Sequence, residues 1–258
     1  MKKISLSIFI LFISTSAFCQ WKYDYNWTFG DSLGINFSNL ANPQLFYTHA
    51  KNGEACGTVS DSLGNLLFYI GSADIGGPDF NHGIIYNKMH EVMQNGDSLK
   101  MNWDATDGIY ILNTPLNDSL FYVFSICNSF QSTELYYSVI NILSDGGNGK
   151  VVQKNILLTD SVTEKICAIK HGNGRDWWLI SHKQKSNIFL KYLITPNGIQ
   201  GPYIQPIGAY SYRREGEITV NKLGNKLCSV GSYTVRDLFD FRSEEHTSEL
   251  QSPYVISY

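Results

Sequence analysis

The sequence predicts an all-β chain made of repeated four-stranded antiparallel sheets. Apolar runs alternate with turns rich in Gly, Asn and Asp, and no long stretch places apolar residues at helical spacing. The chain has 16 Tyr and 22 Gly, a mixture typical of β proteins with many turns. We therefore expect strands along the whole chain and few helices.

The chain repeats itself at a regular interval. Four hairpin-like stretches are each centred on an asparagine, at Asn65, Asn117, Asn173 and Asn225, with spacings of 52, 56 and 52 residues. A second strand pair follows each hairpin, and four strands per unit of about 50 residues are typical of a β-propeller blade. We place the blades near 51–100, 105–160, 161–210 and 214–241, the last of them incomplete.

Adjacent aromatic residues recur at one place in three of these units. The pairs are Phe68-Tyr69, Phe121-Tyr122 and Trp177-Trp178. We expect them to pack between neighbouring blades. Because alternate residues of a strand face opposite ways, a ligand-stacking role for Trp177 and Trp178 is the alternative.

The first 19 residues have the pattern of a signal peptide, and we expect them to act as one. Met1-Lys2-Lys3 is positively charged, Ile4 to Phe18 is apolar, and cleavage is expected between Cys19 and Gln20. A membrane anchor would need a longer apolar stretch. A lipidated Cys19 is disfavoured by the bulk of Phe18 before it. We expect an exported mature chain without a transmembrane segment, at the cell surface or outside the cell.

The net charge limits the class of partner, and the cysteine count limits the number of disulfides. The net charge is −3 and no basic face is visible, which excludes nucleic acid as the expected partner. Cys56, Cys127, Cys167 and Cys228 remain after the leader. Export permits two disulfides in any of three connectivities, and unpaired cysteines buried in strands are the alternative.

No catalytic motif, metal-ligand spacing or cofactor motif is visible, so we expect no catalytic residues, no metal and no cofactor. Glu164, Asp176 and Glu217 could meet at an axial funnel, as the acids of glycosidases do. Asp-Ser followed by an aliphatic residue occurs five times and resembles an O-glycosylation acceptor motif, although Asp and Ser also start turns. The candidate serines are Ser32, Ser62, Ser98, Ser119 and Ser161.

Several stretches resemble a known family. "GTVSDSLGNLLFY" at 57–69 and "VVQKNILLTDSVTEKICAIKHGNGRDWWLISH" at 151–182 are similar to the secreted, WD-repeat-like β-propeller region of Bacteroidota proteins that usually end in a type IX secretion sorting domain. The resemblance runs from about Trp27 to Phe241. It implies a propeller, export and life at the cell surface. It carries no catalytic residues over.

The tail of the chain differs from the rest. Arg242 to Ser252 resembles the translation of a sequencing adapter, so we expect residues 242–258 to be non-native and the propeller to be cut after three to four blades. A genuine solvated acidic tail is the alternative. The segment from Trp27 to Phe37 is the candidate strand for completing a last blade that is missing.

These observations favour an exported propeller that acts as a binding module for a glycan, a protein or a surface polymer. A propeller-type hydrolase or lyase acting on carbohydrate is the first alternative. A structural segment of a larger adhesin is the second. Clustered acids at the axial mouth would favour the enzyme, and an aromatic-lined face without such acids would favour binding.

Overall fold

The computed structural model describes residues 23–72, 82–128, 132–231 and 236–242, together with the backbone of Glu249–Val255. Within these ranges the chain forms strands and one short 3-10 turn at Asp145–Gly147, and no α-helix. All pairings between neighbouring strands of the sheets are antiparallel. The prediction of an all-β chain is confirmed.

Sheet A is the first of four sheets in the described residues and has seven strands. β4 pairs only with β5, and the other strands follow the order β1-β2-β3-β5-β6-β7. Its strands are β1 (Asn26–Phe29), β2 (Asp31–Asn36), β3 (Gln44–Lys51), β4 (Gly57–Ser60), β5 (Leu66–Ser72), β6 (His82–Asn87) and β7 (Leu99–Lys100).

The three following sheets are four-stranded, and each uses consecutive strands of the chain. Sheet B contains β8 (Ile109–Thr114), β9 (Asn117–Asn128), β10 (Thr133–Asn141) and β11 (Lys150–Thr159). Sheet C contains β12 (Val162–Lys170), β13 (Trp177–Lys183), β14 (Ser186–Thr195) and β15 (Gly198–Ser211). Sheet D contains β16 (Gly216–Val220), β17 (Lys226–Gly231), β18 (Arg236–Arg242) and β19 (Glu249–Val255).

The repeated asparagines lie in, or for Asn117 directly after, the turns that join β4 to β5, β8 to β9, β12 to β13 and β16 to β17. Their side chains close these turns with local hydrogen bonds. The Asn173 carboxamide oxygen accepts the backbone N–H groups of Arg175 (2.9 Å) and Asp176 (3.0 Å). The Asn117 oxygen accepts the Ser119 N–H (3.0 Å). The turn chemistry visible in the sequence therefore fixes where each hairpin reverses.

Apolar clusters join each sheet to the next. In β9, Phe121 and Val123 pack with Phe68 of sheet A, whereas Phe124 and Ile126 belong to the cluster shared with sheet C. Successive strand residues face opposite ways, so one strand supplies both clusters.

The same alternation places sheet C between its neighbours. Leu179 lies in the cluster shared with sheet B, and Trp178 lies in the cluster shared with sheet D. The rings of Phe189 in sheet C and Phe239 in sheet D meet edge to face, with centroids 5.3 Å apart. Sheets B and C are thus buried on both faces.

The N-terminal strands extend the first sheet. The segment from Trp27 to Phe37 was the candidate strand for a last blade that is missing; β1 and β2 form a hairpin that joins sheet A through β3. Polar contacts explain this position: Thr28 N–H donates to Thr58 Oγ1 (3.1 Å), and Asn26 Nδ2 donates to Ser60 Oγ (2.9 Å). Both acceptors lie on β4 of sheet A.

The tail also adds a strand. The backbone of β19 pairs with β18, with Arg242 opposite Glu249 and Asp237 opposite Val255. The non-native origin proposed for residues 242–258 concerns the sequence and stays a prediction.

The turn between β13 and β14 contains a strained residue. Lys185 is exposed and has φ of 52°, in the left-handed region that costs a residue with a Cβ roughly 1 kcal/mol. We expect Lys185→Gly to raise the free energy of unfolding by about 0.5 kcal/mol, because part of the gain is offset by the greater freedom of glycine in the unfolded chain. Urea denaturation would measure this. Lys185→Ala, which keeps the Cβ, is the control and should show no gain; a destabilised glycine variant would contradict the interpretation.

Candidate functional site

The candidate site lies where β4 of sheet A meets β8, the first strand of sheet B. A cavity of about 480 Å³ opens beside β4 and β8. Most of its wall is apolar, formed by β8 residues such as Ile109 and Ile111 and by Phe121. The aromatic rings of Tyr23, Tyr110 and Trp177 also line the cavity. Its polar groups are those of Asp24, Thr58 and Asn113. This combination of apolar walls with a few polar groups is typical of a site for a small ligand.

The two adjacent tryptophans have different surroundings. Trp177 is half-buried in the cavity wall, with the Lys170 ammonium 3.8 Å from its ring centroid. Its indole Nε1 is buried and has no hydrogen-bond partner in the described part of the chain. Trp178 is fully buried, stacked on His171 at 5.8 Å and edge-on to Tyr203 at 5.6 Å. Of the pair, Trp177 therefore lies at a ligand-sized cavity, and the Trp178 ring has no face free.

An acidic cluster lies near Tyr110, where sheets B, C and D meet. We define it as Asp107, Glu164 and Glu217. Glu164 is buried, and its carboxylate accepts hydrogen bonds from the Thr106 N–H (3.2 Å) and from Asn128 Nδ2 (3.3 Å). Arg214 Nε is 3.5 Å from the same carboxylate. Charge and hydrogen bonds thus compensate for the burial of Glu164.

Asp107 titrates differently from an ordinary aspartate. Burial raises the pKa of its carboxyl to about 7, and the nearby charges of Glu217 and Glu164 act in the same direction. The Ile218 N–H donates to Asp107 Oδ2 at 3.4 Å and opposes the shift. An acid that exchanges a proton near neutral pH is suited to general acid–base chemistry, and a half-buried structural carboxyl can have the same property.

The third predicted acid lies elsewhere. Asp176 sits in the turn between β12 and β13, where Arg175 Nε donates to its Oδ1 (2.8 Å) and Asn173 Nδ2 donates to its Oδ2 (2.8 Å). The hydrogen bond from Arg175 is the main cause that lowers the pKa of Asp176. Its role in this arrangement is to close a turn, and Asp107 takes its place beside Glu164 and Glu217.

Asp107 was missed by sequence reasoning although a signal exists. Glu54, Asp107, Glu164 and Glu217 are spaced by 53, 57 and 53 residues, each one residue more than the corresponding spacing of the repeated asparagines. Each acid stands just before, or within the first three residues of, the first strand of a repeat unit. Since equivalent positions of stacked sheets come together, this register predicts that the acids converge.

The candidate glycosylation serines all lie in or beside turns. Ser62 and Ser98 are exposed, and Ser32, Ser119 and Ser161 are half-buried. The hydroxyls of Ser32 and Ser98 donate to the carboxylates of Asp31 (3.1 Å) and Asp97 (3.3 Å). Local turn contacts therefore account for these Asp-Ser pairs, and modification of the serines stays a prediction.

Four cysteines in the described residues are free thiols, namely Cys56, Cys127, Cys167 and Cys228. Cys127 and Cys167 are buried in strands, and burial raises the pKa of Cys127 to about 11. The expected cleavage site at Cys19 and Gln20 lies outside the described residues. Among the residues that are described, no three His, Cys, Asp or Glu side chains are grouped to hold a metal ion. Nor does that part of the chain contain a helix long and apolar enough to cross a membrane.

Comparison with known proteins supports the fold and leaves the chemistry open. No family model and no curated protein matches the chain. Seventeen solved chains match its structure. A candidate 6-phosphogluconolactonase from Bacteroides fragilis NCTC 9343 superposes with a TM-score of 0.51 at 12% identity, covering 91% of this chain and 69% of that one. A protein of unknown function from Desulfotomaculum acetoxidans DSM 771 gives a TM-score of 0.46 at 12% identity, covering 89% of this chain and 65% of its own. At such identity the first likeness extends to the fold alone.

The raised pKa of Asp107 makes stability depend on pH. The protonated carboxyl is the form that the folded protein tolerates, so this contribution is complete below pH 4 and is lost as the pH rises through 7. We expect Asp107→Asn to gain roughly 1–2 kcal/mol relative to the wild type between pH 5 and pH 8, after discounting for solvent screening. Urea denaturation at the two pH values measures the difference. Asp104→Asn removes an exposed carboxyl from the same loop as a control; equal pH dependence in the wild type and Asp107→Asn would refute the assignment.

Proposed function

We propose that the protein is an exported β-propeller module that binds a glycan in the cavity beside β4 and β8. In this proposal sheets A to D are blades, and the signal peptide directs the chain to the cell surface or the extracellular space. The predicted type IX sorting, the glycosylation of the Asp-Ser serines and the adapter origin of residues 242–258 stay predictions.

The packing of the sheets supports a propeller. A single apolar cluster joins A to B, another joins B to C, and a third joins C to D. Propellers are built by this radial repetition, which covers both faces of every inner blade and leaves only short edges.

The cavity is the observation that carries the binding role. Tyr110 and Trp177 offer aromatic surface at its wall, on which the apolar face of a sugar ring can pack. Asp24, Thr58 and Asn113 offer acceptors and donors for hydroxyl groups. A volume of about 480 Å³ accommodates one or two sugar rings, since ligand sites commonly span ~300–1,000 Å³.

A glycan array followed by calorimetry tests this function. Asn113→Ala removes one polar partner and should weaken the Kd of a bound glycan about tenfold, the loss expected for one buried hydrogen bond. Trp177→Phe, which keeps an aromatic ring in the wall, should weaken it less.

Tyr212→Ala is the control, because this tyrosine is 70% exposed and lies outside the cavity. Absence of any glycan ligand, or a Kd that Asn113→Ala leaves unchanged, would count against the proposal. If the chain is instead a structural segment of a larger adhesin, we expect the first result, the absence of any glycan ligand.

The acidic cluster favours hydrolysis or lyase chemistry on carbohydrate as a second candidate function. Asp107 can hold a proton near neutral pH, and Glu164 and Glu217 lie beside it as the other carboxyls of the cluster. The solved structure described as a candidate 6-phosphogluconolactonase suggests a sugar lactone as one substrate to test. The carboxyls of the cluster would repel a phosphate group, so neutral sugars fit this site better.

Enzyme assays separate the two functions. Hydrolysis of neutral glycosides that falls as the pH rises through about 7, and that is at least a hundredfold slower in Asp107→Asn, would establish the second candidate, since positioned acid–base groups contribute about 10²–10⁴-fold. Activity that Asp107→Asn leaves unchanged would exclude this cluster as its source.

A further inference from the structure

The ribbon formed by β1, β2 and β3 carries an apolar face that points to solvent. Cross-strand pairing aligns Trp27 with Ile35 and Ile35 with Leu45, and the next row aligns Phe29 with Leu33 and Leu33 with Tyr47. Paired residues lie on one face of a sheet, and residues two apart share it. The outward ribbon face therefore consists of Trp27, Phe29, Leu33, Ile35, Leu45 and Tyr47.

Exposure confirms which way this face points. Trp27 is 55% exposed, Leu45 is 69% exposed and Tyr47 is 85% exposed. Phe29, Leu33 and Ile35 are half-buried. The Trp27 ring meets Phe37 edge to face, with centroids 5.1 Å apart, and more than half of its surface still faces solvent.

The opposite face of the ribbon carries buried polar groups. Asn26, Thr28 and Thr48 are each at most 5% exposed. Thr28 Oγ1 lies 2.6 Å from Thr58 Oγ1, and Asn26 Nδ2 donates to the Gly64 carbonyl at 2.9 Å. The inward face also carries Phe46 and the fully buried Ala50, so it is mixed in character, whereas the outward face is apolar.

The size of the face suits an interface. Aromatic side chains present ~150–250 Å² each, so at their exposures Trp27, Leu45 and Tyr47 together offer roughly 400 Å² of surface, to which the half-buried Phe29, Leu33 and Ile35 add. That is within the range of the largest apolar patch that monomers expose, ~300–600 Å². With a polar rim it approaches the ~800 Å² that each partner buries in a standard interface.

We propose that the outward ribbon face is a dimer interface that binds the same face of a second copy of this chain. A two-fold axis makes one patch complementary to itself, so the rows Trp27–Ile35–Leu45 and Phe29–Leu33–Tyr47 of two copies pack sheet on sheet. Sheets A to D already bury apolar faces against one another in this way, and the second copy gives the ribbon the same cover. The outer face of sheet D is less suitable, because it carries Lys226 and Asp240.

Sedimentation velocity on the purified protein tests the dimer. We expect a monomer–dimer equilibrium with Kd at or below about 10 µM, and Leu45→Glu with Tyr47→Glu should give a monomer at about 100 µM because each buried unpaired charge costs several kcal/mol. Leu116→Glu and Leu223→Glu are the matched controls. They place the same charge at side chains that are 80% and 82% exposed, in the turns after β8 and β16, and should leave the dimer unchanged.

Three results would overturn the proposal. They are a wild-type monomer at about 100 µM, an open series of higher oligomers, and a dimer that the double variant does not weaken. Tyr47→Lys alone, at the most exposed of the six side chains, provides a second variant if the double variant loses its β-sheet circular dichroism; it should raise the Kd at least tenfold. If the face instead binds another protein or a glycan, the wild type would be a monomer at about 100 µM, which is the first of these three results.

Discussion

Burial of both faces of the central sheets is the constraint on which this structure depends. β9 and β13 carry apolar side chains on successive residues, so neither face of their sheets can be left in water. Each fully buried Leu, Ile or Phe contributes ~1.5–3 kcal/mol relative to exposure, and this gain exists for sheets B and C only when both neighbours are in place. Both faces of sheets B and C are buried because the sheets pack on one another in the order of the sequence.

The stacking also creates the acidic cluster of Asp107, Glu164 and Glu217. Because equivalent first strands come together, side chains more than fifty residues apart converge. Asp107 meets the backbone of β12 and β16, and Glu164 reaches Thr106 and Asn128 of the preceding unit. These hydrogen bonds of Asp107 and Glu164 connect neighbouring sheets beside the apolar clusters. The proton affinity of Asp107 is therefore a product of assembly, since burial against sheets C and D is its main cause.

Much of the fold could be predicted from the sequence because its signals are local. Alternating apolar residues and the turns at Asn65, Asn117, Asn173 and Asn225 indicate where strands begin and reverse. The position of β1 to β3 could not be predicted, because it depends on pairing Thr28 and Asn26 with Thr58 and Ser60, about thirty residues away. The residues of the acidic cluster and of the cavity could be predicted from the sequence only in part. Glu164 and Glu217 were identified, but Asp107 required the register between sheets, and the different exposure of Trp177 and Trp178 depends on which cluster each ring faces.

The central claim is that successive sheets share one apolar cluster at each junction. A double-mutant cycle on Phe189 and Phe239, whose rings meet between sheets C and D, tests it most directly. Substituting leucine for each phenylalanine, singly and together, and measuring the free energy of unfolding should give a coupling of about 0.5–1.5 kcal/mol. Strictly additive effects would mean that the two rings do not meet and that sheets C and D are not packed face to face.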